Sequence, residues 1–126
     1  MSKKGQYRGI LTGKKFMHKI RLRLYIWSED KVFFVYAPAL DLTGYGNTET
    51  EAKDSFTHIL QETVSYMENK DTLFDELERL GWTTNRTKRR VKAPDIKEMK
   101  EDNEEFRIIS SKPNVKTIDE SLELAI

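Results

Sequence analysis

The chain has 126 residues, of which 34% are charged and 37% hydrophobic, and its formal net charge at pH 7 is +1. This length predicts one domain with a solvated extension. The absence of cysteine excludes disulfides, thiol catalysis and cysteine-ligated metals. The small net charge provides no overall field that favours nucleic acid or an anionic membrane.

The N-terminal residues 1–17 are basic and glycine-containing, and we assign them to an N-terminal arm. The arm is either a solvated tail or a contact to an anionic partner. No stretch of the chain reaches the roughly 20 apolar residues that span a bilayer, and the arm lacks the apolar core of a signal peptide. We therefore expect a cytoplasmic protein without a membrane contact.

Strict alternation from His18 to Trp27 predicts a strand with Ile20, Leu22, Leu24 and Ile26 on its inner face. Its outer face carries Lys19, Arg21, Arg23, Tyr25 and Trp27. A polar turn at Ser28-Glu29-Asp30 and the apolar run 32–37 complete an antiparallel hairpin. A short third strand is expected over 43–45.

A long helix is predicted over 49–69, with Thr48 as its N-cap and Glu51 reaching back to the Thr48 amide. Its buried stripe is spaced at helical intervals and comprises Ala52, Phe56, Ile59, Leu60, Thr63 and Met67. A shorter helix follows, with Leu73, Leu77 and Leu80 in register. Gly81 suits the left-handed residue after a helix, and Trp82 is expected to fold back as an apolar plug.

Beyond Trp82 the composition becomes strongly charged. We interpret 83–92 as a linker, 95–105 as one or two solvated helical turns and 106–109 as a short strand. For 115–126 we favour strands over a capped helix. The resulting fold class is α+β, with an antiparallel hairpin or three-stranded sheet, one long helix packed on one face, a second short helix and a C-terminal arm with strands. The predicted divisions are 1–17, 18–82 and 83–126.

No arrangement of side chains in the sequence predicts catalysis. There is no nucleophile elbow or phosphate-binding loop, and His58 pairs at ligand spacing only with Glu62, which is more typical of a surface contact. We therefore predict no catalytic residues, no metal ligands and no cofactor.

The outer face of the first strand interleaves cations with aromatic rings, a pattern with three interpretations. It is typical of surfaces that stack bases and hold phosphates, of protein interfaces, and of a plain solvated sheet face. The basic cluster at Arg86, Arg89 and Arg90 extends the nucleic-acid interpretation.

Residues 33–52 resemble the HicB family of antitoxins. An apolar strand enters a loop at Pro38, and the stretch 46–52 reads Gly-Asn-Thr-Glu-Thr-Glu-Ala. The family signature Gly-x-Thr-x-x-Glu-Ala falls on Gly46, Thr48, Glu51 and Ala52. The loop departs from the family pattern, since Ala39 stands where an acidic residue usually follows the proline.

The resemblance implies a β-β-β-α-β arrangement, a partial RNase H-like fold without nuclease residues. It also implies a small RNA-cleaving toxin, HicA-like, as partner, and a C-terminal DNA-binding unit that residues 83–126 do not resemble. Our first hypothesis is a non-catalytic antitoxin that forms a homodimer or a higher homo-oligomer and whose outer sheet face masks such a toxin. The alternatives are a nucleic-acid-binding protein that uses the same face with the 86–92 cluster, and an orphan HicB-like protein without a toxin.

Overall fold

The computed structural model describes residues 17–125. In chain order the elements are β1 (Met17–Glu29), β2 (Val32–Ala37), β3 (Leu42–Gly46), α1 (Glu49–Asn69), α2 (Leu73–Arg79), β4 (Thr83–Asn85), β5 (Arg90–Lys92), α3 (Ile96–Asp102), α4 (Glu104–Ser110) and β6 (Lys116–Ala125). An antiparallel sheet has the order β3-β2-β1-β6, and β4 and β5 form a separate hairpin. The predicted α+β class is confirmed. Of the predicted arm over 1–17, only Met17 lies within the described residues.

The sheet is built around β1, which is the longest strand. Its second half pairs with β2, from Tyr25 opposite Tyr36 onward, whereas its pairing with β6 begins at Met17 opposite Ala125. The first part of β1 therefore forms a two-stranded ribbon with β6. The prediction of three strands is too low by one, because 116–125 supplies the fourth strand; the preference for strands in that segment is confirmed.

Helix α1 covers one face of the sheet at β2 and β3, and its predicted span of 49–69 is confirmed. Its buried residues are Ala52, Phe56, Leu60, Val64 and Met67. Val64 takes the buried position expected for Thr63. Across from this stripe, the inner residues of β1 and β2 complete the main core; they include Leu22, Leu24, Ile26, Val35 and Ala37.

The junction between β3 and α1 is closely packed. The Thr48 hydroxyl accepts a hydrogen bond from the Glu51 amide at 3.1 Å, as an N-cap should. The Glu51 carboxylate accepts from the amide of Asn47 at 3.0 Å, and not from that of Thr48 as expected. A Cβ placed on Gly46 would lie 2.6 Å from the Cβ of Glu51, and Ala52 is fully buried, so small residues are required where strand meets helix.

Helix α2 ends as the sequence predicts. Gly81 has φ +97°, in the left-handed region that favours glycine. Trp82 then folds back into the core, where its indole Nε1 donates to the carbonyl oxygen of Ala39 at 2.7 Å. The plug ties the end of α2 to the turn after β2, next to Pro38.

The region after Trp82 differs from two expectations. The predicted linker 83–92 contains the β4–β5 hairpin, and the predicted strand 106–109 is wrong because this segment lies in α4. Asn103 caps α4 by accepting from the Phe106 amide at 3.1 Å. Phe106 and Ile109, one helical turn apart, then bury against the sheet face opposite α1. A strand would have placed these two side chains on opposite faces.

Candidate interaction surfaces

The outer face of β1 is divided into an exposed half and a covered half. Lys19, Arg21 and Arg23 are exposed, whereas Tyr25 and Trp27 retain only 5% and 7% of their accessible surface. The expectation that this whole face is open to a partner is therefore wrong for the two aromatic residues. Because neither ring is exposed, bases cannot stack on them.

The cover over the aromatic half is α4. The Phe106 ring meets the Tyr25 ring edge-on at a centroid distance of 5.0 Å, and Trp27 stacks on Phe34 at 5.2 Å. Phe106 is fully buried in this second cluster, which lies on the opposite side of the sheet from the main core. Aromatic contacts of this kind add to the stabilisation from apolar burial.

Polar contacts fasten the cover at both ends. At its start, the side-chain Nδ2 of Asn103 donates to the Tyr36 hydroxyl at 3.0 Å, and that hydroxyl donates to Asp41 at 2.9 Å. At its end, Lys112 donates to the Glu29 carboxylate at 3.1 Å. Glu29 also accepts from the Trp27 indole at 3.0 Å. Hydrogen bonds from Trp27 and then Lys112 lower the pKa of Glu29.

The buried Tyr36 hydroxyl makes stability depend on alkaline pH. Burial, followed by the hydrogen bond to Asp41, raises the pKa of Tyr36 well above its usual value near 10. Below about pH 10 the hydroxyl is protonated in both the folded and the unfolded chain. Its contribution is complete there and is lost as pH rises towards the folded pKa, because the unfolded tyrosine ionises first.

We expect Tyr36→Phe to flatten this loss of stability between about pH 9.5 and about pH 11.5. The measurement is the free energy of unfolding from urea denaturation at several pH values in that window. Tyr45→Phe, which changes an exposed tyrosine, is the matched control and should keep the slope of the parent chain. An unchanged slope in Tyr36→Phe would contradict the assignment.

In the exposed half, the cations of β1 face acidic and polar residues of β6. Lys19 lies opposite Glu123, Arg21 opposite Ser121 and Arg23 opposite Asp119. Arg23 donates to Asp119 at 3.3 Å, with both side chains about half exposed, so this pair adds little to stability. The cations therefore lie beside acidic residues of β6, which the sequence interpretation did not consider. The face is mixed in charge.

The residues of the predicted basic cluster after Trp82 differ in whether they form ion pairs. Arg86 donates to Asp75 at 2.6 Å and to Glu78 at 3.0 Å, and the Thr84 hydroxyl also donates to Glu78. Arg86 therefore fastens the β4–β5 hairpin to α2. Arg89 and Arg90 form no ion pair with any residue in 17–125, and they sit at and just after the hairpin turn.

The hairpin lies beside the start of β1. Val91 of β5 and Ile20 near the start of β1 both pack against the main core. Burial and then the positive charge of Arg90 lower the pKa of His18. Farther along, Arg21 and Arg23 line the same cleft as Ala93 and Pro94. The exposed cations of β1 therefore lie near the hairpin. Of the other predicted site residues, Tyr25 and Trp27 are covered by α4, and Arg86 is paired with acidic residues of α2.

The two edges of the sheet differ in accessibility. At β3, the amide of Tyr45 donates to the Ser55 hydroxyl of α1 at 3.4 Å, and α1 packs along the strand. At β6, the described residues provide no strand beyond the pairing to β1. Within residues 17–125, the outward edge of this ten-residue strand therefore has no strand partner.

Neither a metal-ligand cluster nor a membrane-spanning helix is found among residues 17–125. They contain no group of three or more His, Asp or Glu residues that could hold a metal ion. His58 contacts Glu62 at 3.3 Å with both side chains largely exposed, the surface contact expected from the sequence. No helix within this range has the length and apolar composition needed to cross a bilayer.

Comparison with known proteins returned nothing for this chain: no family model, no curated protein and no solved structure matches it.

Proposed function

We propose that this chain is a non-catalytic, HicB-like protein-binding module that binds and masks a small RNA-cleaving toxin of HicA type in the cytoplasm. The observation that supports this most is the junction between β3 and α1. There the residues shared with the family signature form a capped, closely packed turn from strand to helix, with Thr48 as the N-cap.

The arrangement of elements is compatible with the β-β-β-α-β order that the family resemblance implies. Strands β1 to β3 and helix α1 come first, and β6 joins the sheet after an insertion of two helices and a hairpin beyond α2. A partial RNase H-like fold remains part of this proposal.

The outer edge of β6 is the surface that we assign to the toxin. An extended segment of a partner can add to a free strand edge through main-chain hydrogen bonds, and side chains then select the partner. Beside this edge lie Asp119, Glu120 and Glu123, and residues 95–126 carry nine acidic and five basic residues. The neighbouring-gene product expected for this family is short and basic, so the charges are complementary.

The test is co-expression with the short basic protein encoded beside this chain's gene. We expect that protein to arrest growth and cleave RNA when expressed alone, and the chain to suppress both effects by binding it. A neighbour without toxicity, or a toxic neighbour that the chain neither binds nor suppresses, would rule out the antitoxin function and leave the orphan hypothesis.

The edge assignment has its own control pair. Replacing Asp119, Glu120 and Glu123 by their amides should weaken toxin binding about tenfold, chiefly through a slower association rate. The same neutralisation at Asp54, Glu62 and Glu101, which lie on helices, should leave affinity within about twofold. Light scattering of the purified chain tests the predicted homodimer. A dimer would have about twice the chain mass of 14.8 kDa.

A further inference from the structure

We propose that the β4–β5 hairpin is a separate binding site for the phosphate backbone of a nucleic acid. The residues that carry this site are Lys88, Arg89, Arg90 and Lys92. Binding here is independent of the toxin-binding edge, so that failure of either proposal leaves the other standing.

These four cations differ from the other basic residues nearby. Arg79 is paired with Glu76, and Arg86 with Asp75 and Glu78. In contrast, the four hairpin cations form no ion pair or side-chain hydrogen bond with any residue in 17–125, and three of them are exposed. Arg90 and Lys92 stand two residues apart on β5, while Val91 between them packs on the main core, so both project from the same side.

Hydrogen bonds brace the turn of the hairpin and join it to α2. The Asn85 side chain accepts from the Lys88 amide at 3.0 Å, and the Arg89 amide donates to the Arg86 carbonyl at 3.3 Å. Arg86 anchors the turn to α2. Arg89 has φ +53°, a left-handed conformation that glycine would adopt more easily. The tip thus carries a cation at a position where local backbone preference favours glycine.

Charge is strongly segregated along the chain although the net charge is small. Residues 1–28 contain eight Lys and Arg residues, residues 79–94 contain six, and neither stretch contains an acidic residue. The hairpin belongs to the second stretch, and its Val91 packs against the same main core as Ile20 of β1. The hairpin cations therefore have no acidic residue close to them in sequence, and a polyanion would release counterions on binding to them.

The aromatic and hydrophobic residues near the hairpin cations indicate which kind of polyanion binds there. The aromatic rings of Tyr25 and Trp27 are covered by α4, and Arg86 lies over the Phe74 ring at 5.5 Å, so none of these three rings offers bases an open stacking platform. Among residues 17–125 the exposed large hydrophobic residues are Tyr45, Tyr66 and Ile108, and none belongs to the hairpin. A membrane-surface site would need apolar anchors beside its cations. Phosphate contacts without base reading fit the surface best, and such contacts carry little sequence preference.

The test uses the full chain with mixed-sequence 30-base-pair duplex DNA, duplex RNA and single-stranded RNA as probes, in fluorescence anisotropy titrations. We expect binding at about 50 mM salt that weakens about a hundredfold by about 200 mM, as four phosphate contacts predict. Lys88→Glu with Lys92→Glu should weaken binding at least about tenfold and reduce the salt slope by about two.

Two controls separate charge from folding. Lys31→Glu with Lys70→Glu makes the same charge change away from the hairpin and should alter affinity by less than about threefold. Arg89→Gly should weaken binding while the melting temperature stays the same or rises, because glycine suits the backbone there. Undetectable binding to all three probes at about 50 mM salt, equal loss in the control pair, or tighter binding to phosphatidylserine vesicles or polyglutamate would overturn the assignment.

Discussion

Replacing Phe106 by alanine is expected to lower the free energy of unfolding by about 3–5 kcal/mol, the range for a buried phenylalanine. The side chain is fully buried between α4 and the sheet, and its ring contacts Tyr25 and Tyr36. For a chain of this length, the expected fall in melting temperature is about 10–20 °C. Thermal denaturation followed by circular dichroism measures it, and urea denaturation gives the free energy.

The matched control for this prediction is Ile108→Ala in the same helix. Ile108 is 55% exposed, so its truncation should cost less than about 1 kcal/mol. A small effect of Phe106→Ala together with faster amide exchange confined to α3 and α4 would show that the cover opens without the rest of the sheet. Equal effects of the two changes would mean that α4 does not pack as described.

Gly44→Val is expected to destabilise the chain by about 3 kcal/mol or more, at the upper end of the range for overpacking. A Cβ on Gly44 would lie 2.4 Å from the backbone nitrogen of Phe56 and 2.6 Å from its Cα. These atoms belong to the middle of α1 and cannot rotate away as a side chain can. The helix must therefore move off β3, which also loosens the packing of Phe56.

Urea denaturation at constant m-value measures this change, and the midpoint should fall in proportion to the lost free energy. Thr43→Val is the control, since it places the same valine side chain on the exposed side of the same strand, where it only replaces a hydroxyl by a methyl group, and should change stability by less than about 1 kcal/mol. A parent-like midpoint for Gly44→Val would show that α1 does not lie as close to β3 as the structure places it.

The elements with strong local signals are those that the sequence predicts well. The span of α1 follows from its cap at Thr48 and a buried stripe that repeats at helical spacing over about four turns. The first two strands follow from alternation and a polar turn, and Gly81 marks the end of α2. Each of these features is set by neighbours in sequence, so local physics decides it.

Helix α4 and the β4–β5 hairpin were not predicted, the first because its local signals are short and the second because its position depends on distant contacts. The run Phe106-Arg107-Ile108-Ile109 is too short to separate helix from strand by periodicity. The cap at Asn103 and the three-residue spacing of Phe106 and Ile109 were available signals for a helix. The β4–β5 hairpin has almost no apolar alternation, and its position is set by Arg86 and by Val91 on the core.

The candidate site shows the same limit. Alternation alone predicts the exposure of Lys19, Arg21 and Arg23. Tyr25 and Trp27 are buried because α4, about 80 residues later in the chain, covers them. The acidic residues opposite the β1 cations depend on the register with β6, which no local pattern reveals.

The pairing of β1 with β6 has a consequence for how the protein is made. Partners in this ladder are separated by 90 residues at Ile26 and Lys116 and by 108 at Met17 and Ala125. At ribosomal rates of roughly 5–20 residues per second, β1 waits roughly 5–20 seconds for its neighbour to emerge. During that interval its unpaired edge is exposed on the nascent chain, a state that favours aggregation and recruits chaperones. Contacts between such distant residues also slow folding after release.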